Sequence, residues 1–329
     1  MLVGCIYPIC ALLAPFQPGA SALSVRTVIP EQGTSRGAVS PAPHSPWPLW
    51  LLVALAAAVG ACTTLNYLDP AGPSYETSFA EPSPFPPSLG APLRVLSFNI
   101  AYAVKIDLAL ALLREDPDLK NPDVLTLQEM DAPGTERLAR ELGMNSVYFP
   151  SAVHPKTDRD FGCSILSPWP LVEAGKVVLP VAAFGSGVQR SAVRATVLRG
   201  EQRIRVYTVH LPSPLGVTGG ARRQQLKVLL ADAADTTDPV VITGDFNSYD
   251  VGKQMVEAGY SWPTRDVGST ARFSLFGIRI FGMSIDHIFA RGLEPASDGD
   301  AVGAVQDNRG ASDHLPVWVL LAPTPPDQK

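Results

Sequence analysis

Cysteine is scarce in this chain: of the 4 present, only Cys163 falls after Asp69. A disulfide within that later part is therefore excluded whatever the redox compartment, and its stability has to come from a buried core. Positive charge is short as well. Lys and Arg number 26 against 31 Asp and Glu, a formal net charge of −5, and no run of Lys/Arg with interleaved aromatics is present. That argues against broad electrostatic capture of nucleic acid and leaves room only for a local basic cleft. The uncharged stretch Pro48–Cys62 falls short of the ~20 apolar residues that a spanning helix needs. No internal repeat at solenoid periods is visible.

Proline and glycine are plentiful, and their placement organises the chain. Gln17–Pro46 and Asp69–Pro92 are rich in Pro, Ser, Gly and Ala without sustained apolar periodicity, as tails and linkers are. Between them Pro48–Cys62 suits the apolar core of a signal peptide. The expected layout is an N-terminal extension over 1–62, a linker over 63–92, a catalytic domain over 93–322 and a tail over 323–329. Within the domain, short β-branched runs read as strands and alternate with helical patterns. Strands are expected at Leu93–Ile100, Val124–Leu127, Ser146–Phe149, Cys163–Leu166, Lys176–Leu179, Ala192–Leu198, Ile204–His210, Val240–Thr243, Ser284–Phe289 and Pro316–Leu321. Helices are expected at Ile106–Arg114, Thr135–Leu142, Ala221–Ala234 and Val251–Ala258. That is too many strands for one central sheet, and the interleaving indicates an α/β (α+β) fold with two sheets covered by helices.

The chemistry sits where apolar strands stop. Val240-Val241-Ile242-Thr243 runs into Gly244, which permits a sharp exit, and then presents Asp245 and Asn247, two apart and able to point the same way. Alone this fits a polar turn. Collected with the other polar residues at strand ends, it joins Asn99, Glu129, His210, Asp286, Asp313 and His314. Carboxylate and amide oxygens from Glu129, Asp245, Asn247 and Asp313 suit a hard divalent cation, Mg2+ or Mn2+ in its place, whereas zinc would prefer a His/Cys cluster.

Six segments in order, Ser97-Phe98-Asn99-Ile100, Leu127-Gln128-Glu129, Val209-His210-Leu211, Gly244-Asp245-Phe246-Asn247, Ile285-Asp286-His287-Ile288 and Ser312-Asp313-His314-Leu315-Pro316-Val317, resemble the endonuclease/exonuclease/phosphatase superfamily. Gly162-Cys163-Ser164-Ile165-Leu166-Ser167 stands in its usual place between them. The resemblance covers Leu93–Leu321 and implies a four-layer α/β sandwich, two mixed sheets face to face with helices outside. By the same resemblance Glu129 looks like the principal metal ligand, with Asn99 beside it and Asp313 near. His314 looks like the main catalytic histidine, and Asp286 like the acid that orients it. Asp245 and Asn247 match the pair that activates water and holds a phosphoryl oxygen; His210 matches a second histidine facing the phosphate or the leaving group. Whether Asp245 or His314 takes the proton stays open.

Other residues divide between site and scaffold. Arg190 either binds substrate or pairs with an internal acid. His287 points away from Asp286 if both lie on a strand, and reads as structural. His154 sits in a polar loop and reads as solvated, with Lys156 and Arg159 placed to meet phosphate. Arg222, Arg223 and Lys227 read as a solvated helix face. Cys163 reads as a small hydrophobe. The apolar segment Phe273–Met283 forms either a buried hairpin or a lipid-facing surface.

The resemblance implies a metal-dependent hydrolase of phosphate esters, a phosphodiesterase acting on nucleic acid or on phospholipid head groups outside the cytoplasm. The alternatives are a phosphomonoesterase of inositol-phosphate type and a catalytically silent binding module of the same fold. Val59-Gly60-Ala61-Cys62 resembles a lipobox, which would make Cys62 a lipid anchor to the membrane and place the protein in the cell envelope, or otherwise secreted. No protein partner is expected, and the chain is expected to be a monomer.

Overall fold

The β-branched runs pair into two sheets lying face to face. The computed structural model describes residues 64–82, 87–88, 91–155, 157–275, 278–297 and 301–323, with the side chains of 273–281 excepted. The expected signal-peptide segment Pro48–Cys62 and Lys156 lie outside the described residues. The larger sheet is built on β2 (Leu93–Asn99), β3 (Val124–Met130), β4 (Asn145–His154), β5 (Arg159–Ser167) and β15 (Val317–Pro323), in the order β4-β5-β3-β2-β15. At its ends it adds β1 (Tyr75–Ser78) beside β4, and β13 (Leu293–Pro295) and β14 (Val302–Ala304) beside β15. The second sheet runs β12-β9-β8-β7-β6, from β12 (Asp286–Arg291) through β9 (Val240–Asp245), β8 (Gln202–His210) and β7 (Ser191–Arg199) to β6 (Leu171–Val178). Both sheets are mixed: β2 and β3 pair parallel, as do β8 and β9, and their neighbours are antiparallel.

Three apolar interfaces stack these elements into four layers. Val95, Ile165, Val193, Val206, Val241 and Ile288 meet between the sheets. Helices α1 (Ile106–Glu115) and α2 (Ala132–Leu142) cover the outer face of the larger sheet, where Leu112 and Leu138 join Phe98 and Leu127. Helices α3 (Gly219–Ala233) and α4 (Val251–Glu257) do the same for the second, with Leu229 and Met255 against Tyr207 and Ile242. Each such side chain contributes about 1.5–3 kcal/mol on burial, and alternation along the strands serves two interfaces at once. No described helix is long and apolar enough to cross a membrane.

The expected linker over 63–92 is not a free tether. β1 pairs antiparallel with β4, Asn66 forms a bridge with Ala152, and the buried Lys176 donates through Nζ to the carbonyls of Tyr67 and Gly72, each at 2.8 Å. Further on, the Arg199 guanidinium donates to the carbonyls of Ala91 and Pro92 and pairs with Asp123 at 3.0 Å. Long-range donors, rather than local periodicity, order this segment. The apolar segment Phe273–Met283 contains most of a hairpin, β10 (Ala271–Leu275) with β11 (Ile278–Met283).

Candidate active site

Strand register gathers the site on one rim. His210 pairs with Asp245, Asp245 with Asp286 on the antiparallel β12, and Asn99 with Gln128 beside Glu129. His314 stands just before β15, whose Val317 is paired with Ser97 near the end of β2. The parallel strands end at this rim and the antiparallel ones begin there. Beneath it a polar seam joins the sheets: Gln128 Nε2 donates to Thr208 Oγ1 at 2.9 Å, and the hydroxyls of Thr126 and Thr243 lie 2.8 Å apart.

Two backbone devices aim the side chains. Gln128 pairs with Cys163 and Met130 with Gly162, so Glu129 is the extra residue of a β-bulge, at φ 59°. Strict alternation would send Glu129 to the face opposite Gln128; the bulge turns it to the rim instead. At Gly244, φ is 139° and an added Cβ would lie 1.9 Å from the Val209 carbonyl oxygen. Only glycine lets β8 and β9 approach this closely.

Asp245 is the hub. Its Oδ2 accepts from Asn99 Nδ2 at 3.1 Å and lies 3.3 Å from His210 Nε2 and 3.7 Å from His314 Nε2; its Oδ1 accepts from the Asn247 backbone N–H at 2.8 Å. Burial pushes its carboxyl up to about 7, with the His314 cation pulling the other way. His314 Nδ1 meets Asp286 Oδ1 and Oδ2 at 3.1 and 2.9 Å. Burial alone would lower this imidazole, but Asp286 and Asp245 overrule it and hold it up at about 10. His210 goes the other way. Burial first, then the cations of Arg190 and His314, keep it neutral, well below the usual histidine value. Arg190 Nη1 lies 3.3 Å from His210 Nδ1, so Nδ1 accepts from the guanidinium and Nε2–H faces Asp245. Arg190 also stacks over Phe161, 4.6 Å from the ring centre.

Asn247, at φ 49°, donates through Nδ2 to the Leu211 carbonyl at 2.9 Å. Glu129 accepts from the Tyr102 N–H at 3.0 Å and more loosely from Asn99 Nδ2 at 3.4 Å. Burial raises its carboxyl, with Arg190 and His314 opposing. A half-buried carboxylate with so few close donors is a fitting cation ligand. Asp313 is exposed, with its charge felt at both Glu129 and His314. Asp245, Asp286 and His314 also bring ligand atoms within 4.8 Å of one another. Within that trio His314 is held by Asp286, and Glu129 with Asn99 forms a separate carboxylate–amide pair beside it.

Several readings change. His154 is buried at the end of β4, its ring 4.7 Å from Tyr102 and 4.9 Å from Phe161, because pairing with Arg159 carries the strand through the expected loop. Arg159 itself is ion-paired with Asp131, the N-cap of α2. Arg222 is half-buried and donates to the Pro212 carbonyl at 2.9 Å, with Asp245 and Asp250 acting on its charge. His287 packs among Phe246, Tyr249, Trp262 and Phe289, as structural as expected. Cys163 is buried and its thiol is pushed up to about 12, so it is an inert hydrophobe. Tyr102 was not foreseen. It reaches the site through its backbone, from a left-handed turn over Ala101, Tyr102 and Ala103, and no residue type in that stretch signals it.

The sequence profile of the Endonuclease/Exonuclease/phosphatase family matches residues 96–314, which hold every residue of this site. The chain belongs to that family. A UPF0294 protein of Vibrio cholerae is 36% identical over 100 residues, 30% of this chain; the chain spans about a third of that relative's length, 32%. An endonuclease/exonuclease/phosphatase from Beutenbergia cavernae shares the fold with a TM-score of 0.55 and 24% identity, over 71% of this chain and 72% of that one. The human nocturnin catalytic domain with bound sulfate does so with a TM-score of 0.53 and 20% identity, over 72% and 96%.

Proposed function

We propose that this protein is a magnesium-dependent phosphodiesterase that works outside the cytoplasm on nucleic acid or phospholipid head groups. The observation that carries the reading is Asp245, a carboxylate held near neutrality at the meeting point of Asn99, His210 and His314. A group with that proton affinity is matched to taking a proton from water at physiological pH. His314 stays cationic at that pH, so it stabilises the phosphoryl oxygens rather than acting as base, and Asp286 fixes its tautomer.

In the reaction a water oxygen forms a bond to phosphorus, its proton passes to Asp245, and the opposite P–O bond breaks to release an alkoxide that solvent protonates. Asn247 Oδ1 orients the water. Arg190 and His314 offset the phosphoryl charge, and neutral His210 holds Asp245 in place. Mg2+, or Mn2+ in its place, held by Glu129 and Asn99 with Asp313 nearby, would supply Lewis-acid polarisation and charge neutralisation. A diester fits better than a monoester. His210 is neutral, so Arg190 and His314 are the cations at the rim, suited to one negative charge rather than two.

The lipobox-like Val59–Cys62 supports an exported, lipid-anchored protein. The deciding experiment is hydrolysis of plasmid DNA, RNA, sphingomyelin, phosphoinositides and a chromogenic diester, with magnesium and with chelator, beside His314→Ala. Metal-dependent cleavage lost in the variant supports the reading, and silence on every substrate refutes it.

A further inference from the structure

Two loops whose tips the chemistry does not use rise from the site end of the second sheet. Residues 179–190 join β6 to β7 and deliver Arg190; residues 211–218 leave β8 immediately after His210. Because Ala192 is paired with Val209, both loops depart from the end of the sheet that carries His210. They are fastened together where the Phe184 N–H donates to the Gly216 carbonyl at 2.6 Å. At this junction stand the two most exposed large apolar side chains among the described residues, Leu215 at 92% and Phe184 at 88%. Single exposed apolar residues are ordinary on a protein surface, but two on adjoining loops beside an active site mark an interaction face.

Charge narrows the partner. In a chain with an excess of acids, neither loop contains an aspartate or glutamate, and the cations at their bases are Arg190, Arg222 and Arg223, with Asp245 and Asp250 acting on Arg222 from below. An apolar tip over a cationic collar suits an acyl layer topped by phosphates. The entry of the chain points the same way. The Thr64 hydroxyl donates to the Ser186 carbonyl, Asn66 Nδ2 donates to the Gly187 carbonyl at 2.9 Å, and the Gln189 N–H donates to Asn66 Oδ1 at 2.8 Å. The segment that follows Pro48–Cys62 therefore joins the domain along the Phe184 loop. An acyl chain on Cys62, two residues before Thr64 in the sequence, would tether the domain on this same side.

We infer that Phe184 and Leu215 insert into a phospholipid bilayer, with Arg222 and Arg223 at its head groups, so that the site opens towards the lipid surface. Lipid anchor and apolar tip then act as the two signals that stable membrane attachment requires. For its consequence, that the ester cleaved is a phospholipid head-group diester, this rests on the phosphodiesterase reading above.

The test uses the full chain with vesicles of phosphatidylcholine and phosphatidylglycerol in equal parts. Hydrogen–deuterium exchange is expected to show vesicle-induced protection at 181–187 and 213–217 and none on α1, where Leu108 is also exposed. Vesicle flotation without protection in those loops would overturn the inference. So would concentration-dependent protection without vesicles, the mark of a second copy on the tip. In parallel, Phe184→Ser combined with Leu215→Ser is expected to keep its rate on a soluble chromogenic diester while its rate on vesicle-borne phospholipid falls by about tenfold or more. Equal rates on vesicles for variant and parent would overturn the inference. Hydrolysis of neither ester by the parent would refute the phosphodiesterase reading, and the exchange result alone would then decide the membrane face.

Discussion

His314 Nδ1 sits between both carboxylate oxygens of Asp286, at 2.9 and 3.1 Å, and this pairing is what makes the imidazole a cation at neutral pH. Asp286→Asn keeps the shape and removes the charge. The expected result is a fall in kcat on the order of 100-fold to 10,000-fold with little change in KM, measured by steady-state kinetics on a soluble diester.

The parent enzyme should show a bell-shaped pH–rate profile. The rate rises as pH passes about 7, where Asp245 loses its proton, and falls as it passes about 10, where His314 loses its own. In Asp286→Asn the alkaline limb moves down towards the ordinary histidine value. An alkaline limb that stays in place would contradict the assignment of His314.

Glu129→Gln tests the metal end by a route that does not need turnover. Burial opposes the Glu129 charge, so removing it should raise the melting temperature in chelator. The same change should cancel the further rise that magnesium gives the parent protein. Differential scanning calorimetry with and without the ion reads both effects.

Acid stability should trace His287. Burial lowers this imidazole to about 4 against 6.5 in the unfolded chain, so the native state refuses a proton that the unfolded state accepts. Its contribution is complete above pH 6.5 and is lost as pH falls towards 4, at about 1.4 kcal/mol per pH unit and roughly 3 kcal/mol in all. Urea unfolding of His287→Phe across that window should lose this part of the slope and keep the part that His210 contributes.

Gly244→Ala should cost about 3 kcal/mol or more, since the added methyl meets the Val209 carbonyl and forces β8 from β9. The same separation pulls His210 from Asp245, so activity should fall with stability, as equilibrium unfolding and kinetics on the same sample would show.

Much of this architecture was legible because strand ends carry the chemistry. Runs such as Val240–Thr243 announce buried strands, and each site residue stands at or beside an end of one, so Asn99, His210, Asp245, Asp286 and His314 could be gathered before their geometry was known. What stayed hidden depends on partners far away in sequence. β1 is an exposed edge strand with no apolar alternation, and only its pairing with β4 reveals it. His154 looked solvated because hairpin pairing with Arg159, not composition, extends β4. Arg222 lies on a helix whose polarity is nearly uniform around its axis, so nothing local separated the half-buried arginine from exposed Arg223. Tyr102 acts through an N–H, which every residue but proline has.

Lys176 shows where this protein tolerates being cut. Its ammonium has two carbonyl acceptors, and both come from residues that composition assigns to a tether. A truncation starting at Asp69 keeps the Gly72 carbonyl but removes that of Tyr67, and one starting at Leu93 removes both acceptors and bares the Lys176 edge of the second sheet. Limited proteolysis should accordingly yield a resistant fragment whose new amino terminus lies at or before Thr64, and recombinant versions trimmed to the family profile should be insoluble.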